Sequence, residues 1–268
     1  VAKRMQNKFN EEVADLFKEA KENNIRNDTL IILASLVQRE AASEKEMPLI
    51  AGIIWNRWLQ DMKFEIDATV QYALGEVGNW WPVVKPEDYK LDSPYNTYLH
   101  KGRPPAPICN PGLAAIDAVI NSEDSEYLYY LHDSEGQIHP AKTYREHLEN
   151  IDKYLILPKV REMVTEFMAA RIQRKQPLVE NFLTDNAKQQ YAQPGLTLIG
   201  TSNPHFSDFE ILEKEELGNN KFKFRVRIYE EYTGQGRVGY FDETLTVIKR
   251  ERNKHLIDSV ERSEYTNL

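Results

Sequence analysis

Leu33-Ala-Ser-Leu-Val-Gln-Arg-Glu40 is the stretch on which the reading of the first half of the chain turns. Leu33, Leu36, Val37 and Glu40 stand at i, i+3, i+4 and i+7, so a helix places one carboxylic acid on the face its leucines turn toward a core. Burial disfavours the charged form of a carboxyl and drives its pKa toward the range in which it can donate a proton near neutrality. The same spacing also fits an acid at the edge of the stripe that reaches solvent or pairs with an arginine. Position alone leaves both readings open.

Upstream, Met5, Phe9, Val13, Leu16 and Phe17 recur at helical spacing and predict an amphipathic helix over 2–22, closed by Lys21-Glu22-Asn23-Asn24. Asn27 or Asp28 is the expected cap of the helix that carries Glu40. Downstream, Ser43 and Glu46 fit a capping box, and Pro48 suits the first turn of a third helix through Ile50, Ile53, Ile54 and Trp58. From 61 to 110 the pattern is irregular and includes six prolines between Pro82 and Pro107. That predicts a long ordered loop region, the kind of segment that commonly carries function. Residues 113–120 read as a short helix. Residues 127–132 read as a strand turned back by 133–136 toward Gln137, Ile138 and His139, a hairpin.

Past Leu157-Pro158 the character changes. Residues 159–173 and 177–192 predict two helices. Strands follow over 209–217, 221–231, 238–249 and 255–260, with turn signals at Gly218-Asn219-Asn220 and Gly234-Gln235-Gly236. Phe222, Phe224, Val226 and Ile228 alternate with Lys221, Lys223, Arg225 and Arg227, as in a half-buried strand with one solvated face. The expected fold class is α+β. A mixed helical and loop-rich domain over 1–157 precedes a smaller α+β domain over 158–268 with a curved antiparallel sheet.

With 268 residues and 41% hydrophobic content, the chain can bury a sizeable core. A net charge of −8 argues against nucleic acid or an anionic membrane surface as the main partner. The single cysteine, Cys109, excludes an internal disulfide framework. No Cys/His spacing suggests a zinc site, so neither a metal nor a cofactor is expected. No run of about 18 apolar residues occurs, and the first ten residues lack a signal-peptide core. The start at Val1 instead of Met predicts an upstream portion holding an anchor or export signal, through which alone the protein would meet a membrane.

Four blocks in order carry a resemblance: Leu33–Glu40 with Ile53-Ile54-Trp55-Asn56-Arg57; Asp67-Ala68-Thr69-Val70-Gln71-Tyr72; Ser93–Tyr98 running through Gly102-Arg103-Pro104-Pro105 to 107–112; and Gly136–His147. Together they resemble the catalytic domain of the YceG-like (MltG) endolytic murein transglycosylases over residues 1 to about 157. The resemblance implies cleavage of the β-1,4 bond between N-acetylmuramic acid and N-acetylglucosamine in peptidoglycan, leaving 1,6-anhydro ends, on the outer face of the bacterial cell membrane. It implies glycan strands as substrate and cell-wall synthesis proteins as further partners. The acid in the matching helix position is catalytic in that family, and here it is Glu40; where the family usually has Glu, this chain has Gln38.

A lytic transglycosylase can work with one carboxyl, because the sugar's own C6 hydroxyl replaces water as nucleophile and the same residue serves as acid and then base. The matched blocks supply the candidate substrate-binding set Arg57, Asp67, Thr69, Gln71, Tyr72, Tyr95, Asn96, Thr97 and His139. Most have a plainer reading. Asp67 suits a helix cap, Gln71 and Asn96 suit loop backbone, and Tyr72, Tyr95 and Tyr98 suit a core. Arg57 suits an ordinary surface pair. His139 and His147 lie near the cleft by resemblance, and their spacing matches no recognised metal-ligand pattern. Trp80 and Trp81 suit loop packing or the outer wall of a glycan groove.

Two positions depart from the family pattern: Arg103 stands where an apolar residue is usual, and His139-Pro140-Ala141 where many members have an aromatic. Residues 160–262 resemble, by pattern, the nuclear transport factor 2-like fold, with a binding, positioning or structural role. A non-catalytic glycan-binding or scaffold module of the cell envelope is the alternative function.

Overall fold

The computed structural model describes residues 2–201, 203–218, 221–250 and 254–268. Two compact units divide at Asn150/Ile151.

In the first unit, α1 (Ala2–Glu22), α2 (Asn27–Glu40) and α3 (Met47–Leu59) appear where periodicity places them. The cap of α2 differs from expectation: Arg26 is the N-cap, without a side-chain cap bond, and Asp28 lies in the first turn. Its carboxylate is engaged by Arg26 Nε at 3.0 Å and by Arg103 Nη2 at 3.0 Å. Charge pairing thus takes the carboxylate that could have served as a cap. The capping box is present, with Glu46 Oε1 accepting from Ser43 N at 3.0 Å, and Pro48 sits in the first turn of α3.

The core forms where α5 (Leu113–Ile120) packs against α1, α2 and α3. Leu30, Leu33, Leu36 and Val37 of α2 are essentially inaccessible. Each such side chain contributes about 1.5–3 kcal/mol, which offsets the cost of holding a carboxyl at the end of the same stripe. The loop after α3 contains a further helix, α4 (Asp67–Leu74), so the expectation of an irregular 61–110 is corrected there. Its eight residues are too short to show helical periodicity against the surrounding prolines and aromatics.

Three ties fix the remaining chain to this frame. The Ser35 hydroxyl accepts from Ile108 N at 3.0 Å, and Gln38 Oε1 accepts from Gly112 N at 2.9 Å, pinning 108–112 along α2. Asn56 Nδ2 donates to the carbonyls of Ser125 (2.7 Å) and Tyr127 (3.0 Å). At Gly52 a Cβ would stand 2.3 Å from the Glu123 carbonyl oxygen, so only glycine lets the segment after α5 pass this close to α3. The hairpin follows, β1 (Tyr129–His132) antiparallel to β2 (Ile138–Ala141), and then α6 (Tyr144–Asn150).

The second unit has α7 (Leu157–Ile172), α8 (Gln176–Glu180) and α9 (Asp185–Tyr191), then β3 (His205–Gly218), β4 (Lys221–Tyr232), β5 (Gly236–Lys249) and β6 (His255–Arg262) in an antiparallel meander. A short β7 (Thr266–Asn267) pairs with β5. The single helix expected over 177–192 is two, because 182–184 leaves the helix to pair with β6: Thr184 N donates to Ile257 O at 2.9 Å, and Ile257 N to Phe182 O at 2.8 Å. In the Gly-Asn-Asn turn signal, Asn219 and Asn220 lie outside the described residues.

Phe222, Phe224, Val226 and Ile228 are fully buried in one core with Val160, Val164, Phe167 and Met168 of α7. On the other face Arg225 pairs with Glu213, and Arg227 pairs with Asp242 at 2.8 Å. Inside this unit Arg171 and Glu243, both fully buried, meet at 2.5 and 3.1 Å. Arg262 Nε and Tyr191 Oη also donate to that carboxylate, at 3.0 and 2.9 Å. Arg171 spends further donors on the carbonyls of Leu198 (2.6 Å) and Thr197 (3.0 Å). The two guanidinium groups hold the Glu243 carboxyl below the usual carboxylate range against its burial.

Candidate active site

Glu40 is the last residue of α2, because Ala41 turns extended at φ −75°, ψ 131°. Its side chain, part-buried, lines a cavity of about 320 Å³ with Arg57, Asp67, Tyr98, Tyr130 and His147. Tyr130 of β1 donates its hydroxyl to Glu40 Oε2 at 2.6 Å. Burial pushes the Glu40 carboxyl up; the Tyr130 bond and His132 pull it down, and the neighbouring Asp67 charge adds to the rise. The net result is a carboxyl above its ordinary range, as a proton donor near neutrality requires.

Asp67 opens α4 and is exposed, accepting from the Tyr98 hydroxyl at 2.5 Å. Burial and Asp67 together keep the Tyr98 hydroxyl protonated, as burial and Glu40 do for Tyr130. Two carboxylates therefore share the cavity, each holding a phenol that stays a donor. Arg57 is 7% exposed and directs its guanidinium to backbone carbonyls: Leu128 at 2.6 Å, Lys63 at 2.9 Å and Phe64 at 2.5 Å. It also reaches Glu65 Oε2 at 3.3 Å. It locks the 63–65 turn, where Glu65 takes φ +55°, to the start of β1, so the cavity wall is built on a buried cation.

His147 of α6 stacks on Tyr129 at 5.5 Å between ring centroids, and its buried Nδ1 has no hydrogen-bond partner among the described residues. Burial and the Arg57 charge lower its pKa, so the ring is neutral at pH 7.

The other sequence-derived candidates lie elsewhere. Thr69 and Thr97 are buried and share a hydroxyl contact of 3.0 Å, while Thr97 Oγ1 accepts from Ile66 N at 2.9 Å. They set the start of α4, and with it Asp67. Asn96, fully buried, donates to the carbonyls of Tyr89 (3.1 Å) and Leu91 (2.8 Å) and accepts from Tyr98 N (2.9 Å). Gln71 spans Arg39 Nη2 at 3.5 Å and Pro82 O at 3.2 Å. Tyr72 and Tyr95 pack ring to ring at 4.8 Å. His139 contacts Asp133 at 2.8 Å on the hairpin and is outside the residues lining the Glu40 cavity.

Tyr130 was not among the residues singled out from sequence. Strand alternation puts Tyr130 and His132 on one face of β1, yet nothing local says that α2 is what they face. Among the described residues, no cluster of three or more His, Cys, Asp or Glu side chains is arranged to hold a metal ion. Nor, among the described residues, is any helix long and apolar enough to cross a membrane.

The cavity thus brings together an acid ending an apolar helix, a hairpin phenol bonded to it, and a second carboxylate at the head of a short helix. Residues 1–153 match the YceG-like family, and the chain belongs to it. It is 34% identical over 155 residues to a Bacillus subtilis protein named endolytic murein transglycosylase, covering 58% of this chain and 42% of that one. A Streptococcus pneumoniae protein of the same name is 33% identical over 138 residues, covering 50% of this chain and 25% of that one. The chain thus spans less than half the length of these curated relatives. A crystal structure of a YceG-like protein from Listeria monocytogenes aligns at a TM-score of 0.47 with 33% identity, covering 51% of this chain and 43% of that one.

Proposed function

We propose that the chain is the catalytic part of a peptidoglycan lytic transglycosylase in which Glu40 is general acid and then base. The observation that carries this reading is a carboxyl of raised pKa, lining a cavity and hydrogen-bonded to a phenol that cannot take its proton. Tyr130 donates to Oε2, so on this reading Oε1 carries the proton that reaches a glycosidic oxygen.

Protonated Glu40 gives this proton to the oxygen leaving the anomeric carbon of N-acetylmuramic acid, and the C1–O bond breaks. The C6 hydroxyl of the same sugar forms the new C1–O bond and returns its proton to the Glu40 carboxylate. The product is a 1,6-anhydro ring, no water is consumed, and the enzyme is restored. Asp67, exposed at the cavity mouth, faces the positive charge that develops on the ring. Neutral His147 offers a ring nitrogen to a sugar hydroxyl or N-acetyl group.

On this reading the substrate is a glycan strand outside the cytoplasm, where cell-wall synthesis proteins are the natural partners. Residues beyond 157 form an accessory domain of the nuclear transport factor 2-like kind. Support for the latter is a long antiparallel meander, interrupted by register shifts at 206/208, 211/213 and 216/218 that bend its strands, whose apolar face shares a core with three helices.

The test is incubation with purified peptidoglycan strands, with mass spectrometry of the products. Wild-type protein yields anhydro ends, and Glu40→Gln yields at least about a hundredfold fewer. Equal yields from the two proteins reject the assignment of Glu40.

A further inference from the structure

A second hollow of about 340 Å³, apart from the Glu40 cavity, is lined by Tyr72, Gly75, Trp80, Trp81 and Ile108. Trp80 is 61% exposed, Trp81 44% and Tyr72 39%. Showing adjacent indoles to water is unfavourable, and such a patch marks a surface that something covers.

The segment is built to hold them. Glu76 and Asn79 exchange backbone hydrogen bonds at 3.2 and 2.9 Å around Gly78 at φ +91°. A Cβ on Gly75 would come within 2.9 Å of the Trp80 carbonyl oxygen. The Arg39 guanidinium carbon lies 3.7 Å from the centroid of Trp81 and backs that ring. Gln71 ties Arg39 to the Pro82 carbonyl. Arg39 Nε is buried, with no hydrogen-bond partner among the described residues, so the guanidinium serves the segment as a support for Trp81.

We propose that this hollow is a glycan subsite, distinct from the Glu40 cavity, that stacks an outlying N-acetylated amino sugar of the bound strand on Trp80 and Trp81. This inference rests on the reading of the Glu40 cavity as the cleavage site. The occupant follows from chemistry and continuity. A β-linked pyranose offers a flat C–H face to an indole while its polar edges stay in water, which a pair of half-exposed indoles allows. The helices that bring the two carboxylates to the cavity also build the hollow: α2 places Glu40 in one and Arg39 beside the other, and α4 places Asp67 in one and Tyr72 in the other. A platform held in place by these contacts limits the ordering cost of binding. Holding the strand at a second point suits cutting inside it rather than at its end.

The full chain is titrated with a soluble hexamer of β-1,4-linked N-acetylglucosamine, followed by tryptophan fluorescence and calorimetry. Saturable quenching is expected, with affinity about tenfold weaker in Trp80→Ala and in Trp81→Ala. Trp80→Phe keeps the affinity within about threefold, since a flat ring remains. Unchanged thermal unfolding of each variant separates lost contact from lost fold. Equal affinity in wild type and both alanine variants, or absence of binding in the wild type, overturns the subsite. Self-association by sedimentation that disappears in the alanine variants also overturns it, assigning the hollow to a second copy. Tryptophan-dependent binding without anhydro products from wild-type protein retains the subsite and rejects instead the reading of Glu40.

Discussion

Tyr130 donates its phenolic hydrogen to Glu40 Oε2 at 2.6 Å across 90 positions of sequence. That bond favours the carboxylate, while burial and Asp67 oppose it, so the acidity of Glu40 is a balance that single substitutions can tip either way.

Tyr130→Phe removes the bond that pulls the Glu40 pKa down. The alkaline limb of kcat/KM, where the general acid is lost, moves to higher pH. Loss of about 1 kcal/mol of positioning lowers the maximum roughly fivefold. A pH–rate profile checks both, and a limb that stays in place or moves down contradicts the balance.

Asp67→Asn acts in the opposite sense. It removes the like charge that raises the Glu40 pKa and retains an oxygen for Tyr98. The alkaline limb moves to lower pH. Opposed shifts in these two variants, measured on one substrate, would be difficult to obtain from general damage to the cavity.

Stability carries the same signature. The folded pKa of Glu40 lies above its ordinary value of 4.5, so in that interval the folded chain binds more protons than the unfolded one, and stability falls as pH rises. Glu40→Gln cannot ionise and escapes that loss. The difference in Tm between variant and wild type grows from acid toward neutral pH, then levels above the raised pKa. A pH-independent difference, read by calorimetry, refutes a buried, raised acid.

Thr97→Val tests whether this residue serves the fold or the sugar. Its hydroxyl is buried and accepts from Ile66 N at 2.9 Å, so the variant leaves a backbone donor unmet at the start of α4. A stability loss of about 1–3 kcal/mol in urea is expected. A neutral effect on stability with a large rise in KM would return Thr97 to the substrate.

Arg171→Met leaves Glu243 buried with less compensation. Breaking such a pair costs about 3–5 kcal/mol. Replacing Arg171 and Glu243 together by apolar residues recovers only part, because Arg262 then loses its carboxylate. Denaturant midpoints of the single and double variants provide the comparison.

Much of the frame was legible from local pattern. The stripe Leu33, Leu36, Val37, Glu40 locates both a helix and its acid, because neighbours at three and four residues are set by helical geometry alone. The strand alternation from Phe222 to Ile228 was likewise visible. Features that failed to show were short or tertiary: α4 is two turns amid aromatics, and 182–184 leaves its helix to bond with Ile257.

By itself the sequence determined the long helices, the long strands and which acid sits on an apolar face, since these follow from spacing along one chain. Tertiary structure alone decided that Tyr130 and Asp67 flank that acid, that Thr69, Asn96 and Thr97 spend their polar groups on the fold, and that Arg171 finds Glu243. Such pairings join positions tens of residues apart, where chain connectivity carries no preference and only packing selects the partner.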